Sequence, residues 1–373
     1  MKKLGALAAT LAALGISASP AGATPGDVIV GDSCDGLVLR VKPNTGAKSL
    51  VSDDPRLETP SDTVFGPDGT IYVVDYSAFA GNGGVFAINP KTHVTTIVSQ
   101  DPLFDQPDGI ALGPDGDLYV TDISTPGNGR LLRVDLPSGD TTVASDDPLL
   151  AGGPIGVVVP PDGSPIVGDV NLAARVDPQT GVATAIADAG DGLVGGEGLV
   201  RGPDGTLYMA DSTAGIAAIN PRSGQVTDLT GPVPTDSYGL AFDFQGRVLT
   251  QAVHDVYRVN LHNGTFAPLA TFNYPEGMEV EPPRCRGLTA TIVGTTQRNV
   301  LKGSRFGDVI AGIGGRDSIK GKVGNDRLCG GTGNDRIRDA AGKNRIDCGP
   351  GRHDLAITNQ KSGVRNCERL VRR

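Results

Sequence analysis

The 373-residue chain carries 33 Lys and Arg against 42 Asp and Glu, with 54 glycines, 27 prolines, five cysteines and only four histidines. Its formal charge of −9 gives no reason to expect a nucleic-acid partner, and after the N-terminus no stretch reaches the roughly 20 apolar residues of a membrane helix. The length suits two domains, or one large domain with an appendage.

Residues 1–23 read as an export signal: Lys2 and Lys3, the apolar run Leu4 to Ile16, then the small-x-small site Ala21-Gly22-Ala23, with cleavage after Ala23. The mature chain is expected to be soluble, secreted and monomeric. Its charge is split, residues 24–282 carrying 12 Lys and Arg against 34 Asp and Glu, and residues 283–373 carrying 19 against 8. The seam at Pro282-Pro283-Arg284 divides an acidic body from a basic tail, which either attracts the body, seeks an anionic surface or is simply a solvated basic face.

Along the body one pattern cycles. A turn glycine recurs at Gly69, Gly116, Gly163, Gly205 and Gly246, and the runs after it read TIYVVD, DLYVTD, SPIVGD, TLYMAD and RVLTQA. A second turn recurs as PNTG, PKTH, PSG, PQTG, PRSG and HNG. Repeats of 40–47 residues made of four short strands define propeller blades. The second turn occurs once more than the first, because EGMEVEP (276–282) is an innermost strand without its blade and DVIVGD (27–32) opens a blade without that strand. Joining them closes a ring of six. The expected fold is all-β, a six-bladed β-propeller over 24–282 followed by a parallel β-roll over 283–373.

The segment QPDGIALGPDGDLYVTD (106–122) resembles the NHL-type repeat, and the body is similar to propellers of the gluconolactonase and senescence marker protein family. The residue preceding each innermost-strand glycine, or its equivalent, is expected to face the tunnel: Glu276, Asp62, Asp108, Ile155, Glu197 and Tyr238. Converging carboxylates repel unless a cation or proton intervenes, and hard cations take such oxygens. The resemblance implies a divalent metal held by Glu197, Asp62 and Asp108, with Glu276 beside them, and Asp108 activating water against a metal-polarised lactone or ester. The chain departs from the family in order along the sequence, in Asp62 where Asn is usual, and in Thr63 where Gly would follow. The alternative is a hydrated tunnel whose carboxylates hydrogen-bond to strand ends.

Other constellations are weaker. Asp68, Asp115, Asp162 and Asp204 belong to turns, and Asp75, Asp122, Asp169 and Asp211 end equivalent strands, where they brace backbone. His93, His254, His262 and His353 fall in turns, loops or the tail, which argues against histidine-based lyase chemistry, and neither a GxSxG elbow nor a phosphate loop occurs.

In the tail, aliphatic residues stand every nine positions at Ile292, Leu301, Ile310, Ile319, Leu328, Ile337, Ile346 and Leu355. Two positions before them come Asn299, Asp308, Asp317, Asp326, Asp335, Asn344 and His353. This resembles the RTX nonapeptide G-G-x-G-x-D-x-U-x of calcium-binding β-rolls. Two units would make a coil, stacking Asp308 on Asp326 and Asp317 on Asp335. These four aspartates are the candidate calcium ligands, with sites in the middle and fraying units outside. A roll braced by disulfides with little or no calcium is the alternative. Four cysteines lie in the tail, and of three possible pairings Cys285–Cys329 with Cys348–Cys367 staples both of its ends, leaving Cys34 as the free thiol.

Two functions follow as expectations. The first is a secreted calcium-binding protein whose propeller binds a small molecule or partner and whose roll stabilises it or attaches it to a cell-envelope polymer. The second is a divalent-metal-dependent lactonase or esterase acting at the tunnel.

Overall fold

The computed structural model describes residues 16–17, 24–123, 129–211, 215–230, 239–339, 341–359 and 363–372. Most of the expected export signal, residues 1–15 and 18–23, lies outside that set, as do Tyr238 and the side chain of Asp211. Ile16–Ser17 pairs in parallel with Lys48 and Ser49 at the rim of the first blade. Among the described residues no helix is long and apolar enough to cross a membrane.

The body is a ring of six antiparallel sheets. Each chain run makes inner strand, second, third and outer strand, for example Pro107–Leu112, Leu118–Asp122, Arg130–Val134 and Thr141–Ser145. The first blade is closed by both ends of the body: Pro275–Val280 supplies its inner strand and pairs with Val28–Asp32. Strand interiors are aliphatic because both faces of a blade are covered by its neighbours, so Val30, Leu39, Ile71, Val73, Leu118 and Leu132 are all fully buried.

The turns obey the glycine pattern. Gly69, Gly116, Gly163, Gly205 and Gly246 have φ between +78° and +98°, where a side chain is strained. The aspartates of these turns accept local backbone N–H groups, as Asp68 does from Thr70 at 3.0 Å. Asp75 braces its blade by accepting from the N–H groups of Glu58, Thr59, Ser77 and Ala78.

The tail is a parallel solenoid of two five-stranded sheets. Ile292, Ile310, Leu328, Ile346 and Val364 stack on one side, 18 residues apart. Leu301, Ile319 and Ile337 stack on the other, but the next partner of Ile337 is Ala356. The nine-residue count therefore fails at its last step. One extra residue enters the turn containing Pro350 and Gly351, so fully buried Ala356 fills the core place expected for Leu355. Likewise Asp354, and not His353, takes the carboxylate place, accepting the N–H of Asp335 at 2.6 Å.

Cys285 is bridged to Cys329 and Cys348 to Cys367, the favoured pairing, while Cys34 is free and exposed. The solenoid joins the propeller on the face opposite the inner-strand starts. Thr289 donates to Pro67 O at 2.8 Å, and Thr296 to Phe244 O at 2.7 Å. Both acceptors belong to turns that follow inner strands, so the solenoid sits away from the carboxylate mouth of the tunnel.

Candidate functional site

Four inner strands begin with a β-bulge, visible as register shifts between Pro60 and Asp62, Val120 and Asp122, Gly196 and Gly198, and Val30 and Gly31. A bulge re-aims the side chain at its corner, and here those side chains are Asp62, Asp108, Glu197 and Glu276. The glycine after the carboxylate is needed because the next inner strand passes close by. A Cβ on Gly109 would lie 2.3 Å from Ile155 O, and one on Gly277 would lie 2.2 Å from Ser61 O.

All four carboxylates open onto one cavity of about 420 Å³, together with Tyr76 and Tyr274 and apolar wall from Ile155 and Met278. Desolvation in the narrow tunnel pushes Asp62 and Glu276 each up to about 7. Asp108 is raised well above the usual carboxylate range, by burial first and then by Glu276, Asp62 and Glu197. Glu279, which sequence reasoning missed, is raised to about 8 by burial and by Asp62. The signal was present in EGMEV, where the bulge at Gly277 breaks strict alternation along the strand.

Asp62 is committed to the fold. Its Oδ1 accepts from Thr63 N at 2.8 Å and its Oδ2 from Ile110 N at 3.1 Å, tying two inner strands together. Among the described residues no three His, Cys, Asp or Glu side chains stand close enough together to hold one metal ion. The expected tunnel set of Glu197, Asp62, Asp108 and Glu276 thus shares a cavity without closing around a common point.

The roll carries a second arrangement. Each carboxylate or amide oxygen accepts the backbone N–H one coil back: Asp317 Oδ1 from Asn299 at 2.7 Å, Asp326 Oδ1 from Asp308 at 2.9 Å, Asp335 Oδ1 from Asp317 at 2.8 Å and Asn344 Oδ1 from Asp326 at 2.9 Å. The outer oxygens divide the units. Asp308 is satisfied locally, its Oδ2 accepting from Ser304 N at 2.7 Å and its Oδ1 from the Ser304 hydroxyl at 3.0 Å. Four positions before Asp317, Asp326 and Asp335 the chain has Ile313, Lys322 and Gly331, all left-handed, and apart from a proton that Asp326 can share with Asp339 no donor reaches the Oδ2 atoms of these three aspartates. All three are almost fully buried. Burial lifts Asp317 to about 7 and Asp335 to about 6. Buried anionic oxygens without donors are costly, and hard oxygen donors of this kind fit calcium.

No family model matches the chain, and no curated protein matches it. Solved structures do resemble the propeller. A chain in the crystal structure of a nidogen/laminin complex aligns at TM-score 0.55 with 16% identity, over 68% of this chain and 97% of that one. Virginiamycin B lyase from Staphylococcus aureus aligns at 0.50 with 17% identity, over 66% and 82%. Regucalcin from Agrobacterium tumefaciens, a calcium-binding protein, aligns at 0.50 with 17% identity, over 64% and 82%. At such identities the likeness is one of fold: a six-bladed β-propeller, here followed by a parallel solenoid of about four turns.

Proposed function

We propose that the protein is a secreted calcium-binding protein whose propeller is a ligand- or partner-binding module. The observation that carries this reading is the set of buried, donor-less oxygens at Asp317, Asp326 and Asp335. Calcium neutralises such oxygens, and its binding free energy adds to folding, so the roll orders where calcium is plentiful. The two disulfides suit the same oxidising setting. The outer face of one roll sheet carries Lys302, Lys320 and Arg338 in register, with Arg336 and Arg369 alongside in the next row, all exposed. A flat basic ladder of this kind suits an anionic envelope polymer. The tunnel cavity remains for a small molecule. Hydrogen exchange tests the calcium half: strands 318–320, 327–329 and 336–339 should exchange much more slowly with calcium than after chelation. Equal protection in both states would refute it.

The second reading is a lactone or ester hydrolase at the tunnel mouth. It is favoured by Asp108, a carboxyl held proton-rich by burial first and then by three neighbouring acids in a partly apolar cavity. Such a group could exchange a proton with water beside a bound carbonyl. The divalent ion implied by the gluconolactonase resemblance does not fit the side chains as they stand, since Asp62 already holds two backbone donors, so no step is derived through it. Hydrolysis of simple lactones lost in Asp108→Asn would move the conclusion to this reading.

A further inference from the structure

One place in the nonapeptide repeat breaks its own rule. Gly294, Gly303, Gly312, Gly321 and Gly330 recur every nine residues, and the next place is Asp339. Glycine is required at the earlier places because the Asx side chain five residues on crowds them. A Cβ on Gly303 would lie 2.5 Å from Asp308 Oδ2, and one on Gly312 would lie 2.3 Å from Asp317 Oδ2. The second neighbour there is the carbonyl 18 residues on, Gly321 O and Gly330 O respectively.

At Gly321 the second neighbour is a side chain. A Cβ there would lie 2.4 Å from Asp326 Oδ2 and 2.4 Å from Asp339 Oδ2, so the two oxygens are no more than about 5 Å apart. Asp326 is 0% exposed and Asp339 1%, and apart from a proton the two carboxyls can share between them neither Oδ2 meets a donor. The further charge that bears on Asp339 is Asp308, another anion. Two buried carboxylate oxygens facing each other need a proton or a cation between them. A calcium ion, bound to each oxygen at about 2.3–2.6 Å, spans such a gap, and a second carboxylate raises a site's affinity through ligand charge.

We propose that Asp339 is a calcium ligand that doubles the carboxylate charge at Asp326 and makes this corner the tightest calcium site of the roll. The proposal rests on the calcium reading of the roll and adds to it a residue outside the nonapeptide aspartates. Two carboxylates supply only part of a calcium shell, which takes roughly six to eight oxygens.

The test is a calcium titration of the metal-stripped full chain at pH 7.5, by calorimetry, with thermal melting of the calcium-free protein alongside. Asp339→Gly restores the repeat, and Asp339→Asn keeps the shape without the charge. The wild type should show one site at least tenfold tighter than the rest. In both variants that site should weaken to the affinity of the others, which are kept, while their calcium-free forms melt close to the wild type. Variants that bind calcium as the wild type does would overturn the proposal and leave the pair as a shared-proton brace. A wild type that binds no calcium would overturn the calcium reading of the roll itself, and this proposal with it.

Discussion

Removing calcium and raising pH should destabilise the roll, and calcium should reverse the roll's share of the loss. Asp317 is held at about 7 in the folded chain against 3.8 for an unperturbed aspartate, and Asp335 at about 6. Folded values above unfolded ones mean that the native roll binds more protons. Stability is therefore highest below about pH 4 for these groups and falls as pH rises through their folded values. Each tenfold change in proton affinity is worth about 1.4 kcal/mol, so full ionisation of Asp317 alone costs on the order of 4 kcal/mol. That is a large share of the roughly 5–15 kcal/mol that holds an ordinary domain. Differential scanning calorimetry of the metal-stripped chain should resolve a roll transition whose midpoint drops steadily from pH 5 to pH 8. Saturating calcium at pH 8 should restore it. A calcium-free midpoint that stays level or rises over this range would refute the reasoning, because it would mean the buried oxygens are already neutralised by groups of the chain.

Other outcomes follow from packing and chain geometry. The Cys285–Cys329 bridge spans a sequence separation of 44, so Cys285→Ser with Cys329→Ser should cost the roll about 4 kcal/mol by loop entropy, read as a lower denaturant midpoint. Gly139 has φ +76° and its Cβ would lie 2.2 Å from Val98 O; Gly139→Ala should lower stability by about 2 kcal/mol or more. His93 occupies the equivalent turn place at φ +59°, and His93→Gly should change stability by less than about 1 kcal/mol, because relieved strain offsets the lost bond from its ring to Val51 O. Arg40 is 1% exposed and paired with Glu281 at 3.1 Å; Arg40→Ala should cost about 3–5 kcal/mol by stranding a buried acid, measured by urea unfolding.

Periodicity made the ring and the roll legible. Strand length, the turn glycines and the split first blade are local signals repeated six times, and an aliphatic every nine residues is hard to read otherwise. The solenoid's last coil departs from the count because Leu355 keeps the period of nine while Ala356, a weaker apolar signal, fills the core. Asp339 was passed over because it stands where the repeat wants glycine, yet its place five residues before Asn344 and nine after Gly330 was readable. The tunnel was legible only in part. The pre-glycine rule found Asp62, Asp108, Glu197 and Glu276, all at one cavity. It could not show that Asp62 holds the N–H groups of Thr63 and Ile110, because that bonding depends on a bulge and on a neighbouring strand 48 residues away. The partition of roll units did leave a trace, since Ser304 supplies the donors to Asp308 that Ile313 does not supply to Asp317.

The most direct measurement is a calorimetric calcium titration of the full chain, of Asp317→Asn/Asp326→Asn/Asp335→Asn, and of Asp108→Ala. The account predicts that the triple variant loses calcium binding while Asp108→Ala retains it, placing the ions in the roll and leaving the tunnel for a ligand. Binding that survives the triple variant and disappears in Asp108→Ala would contradict it and put the metal in the propeller.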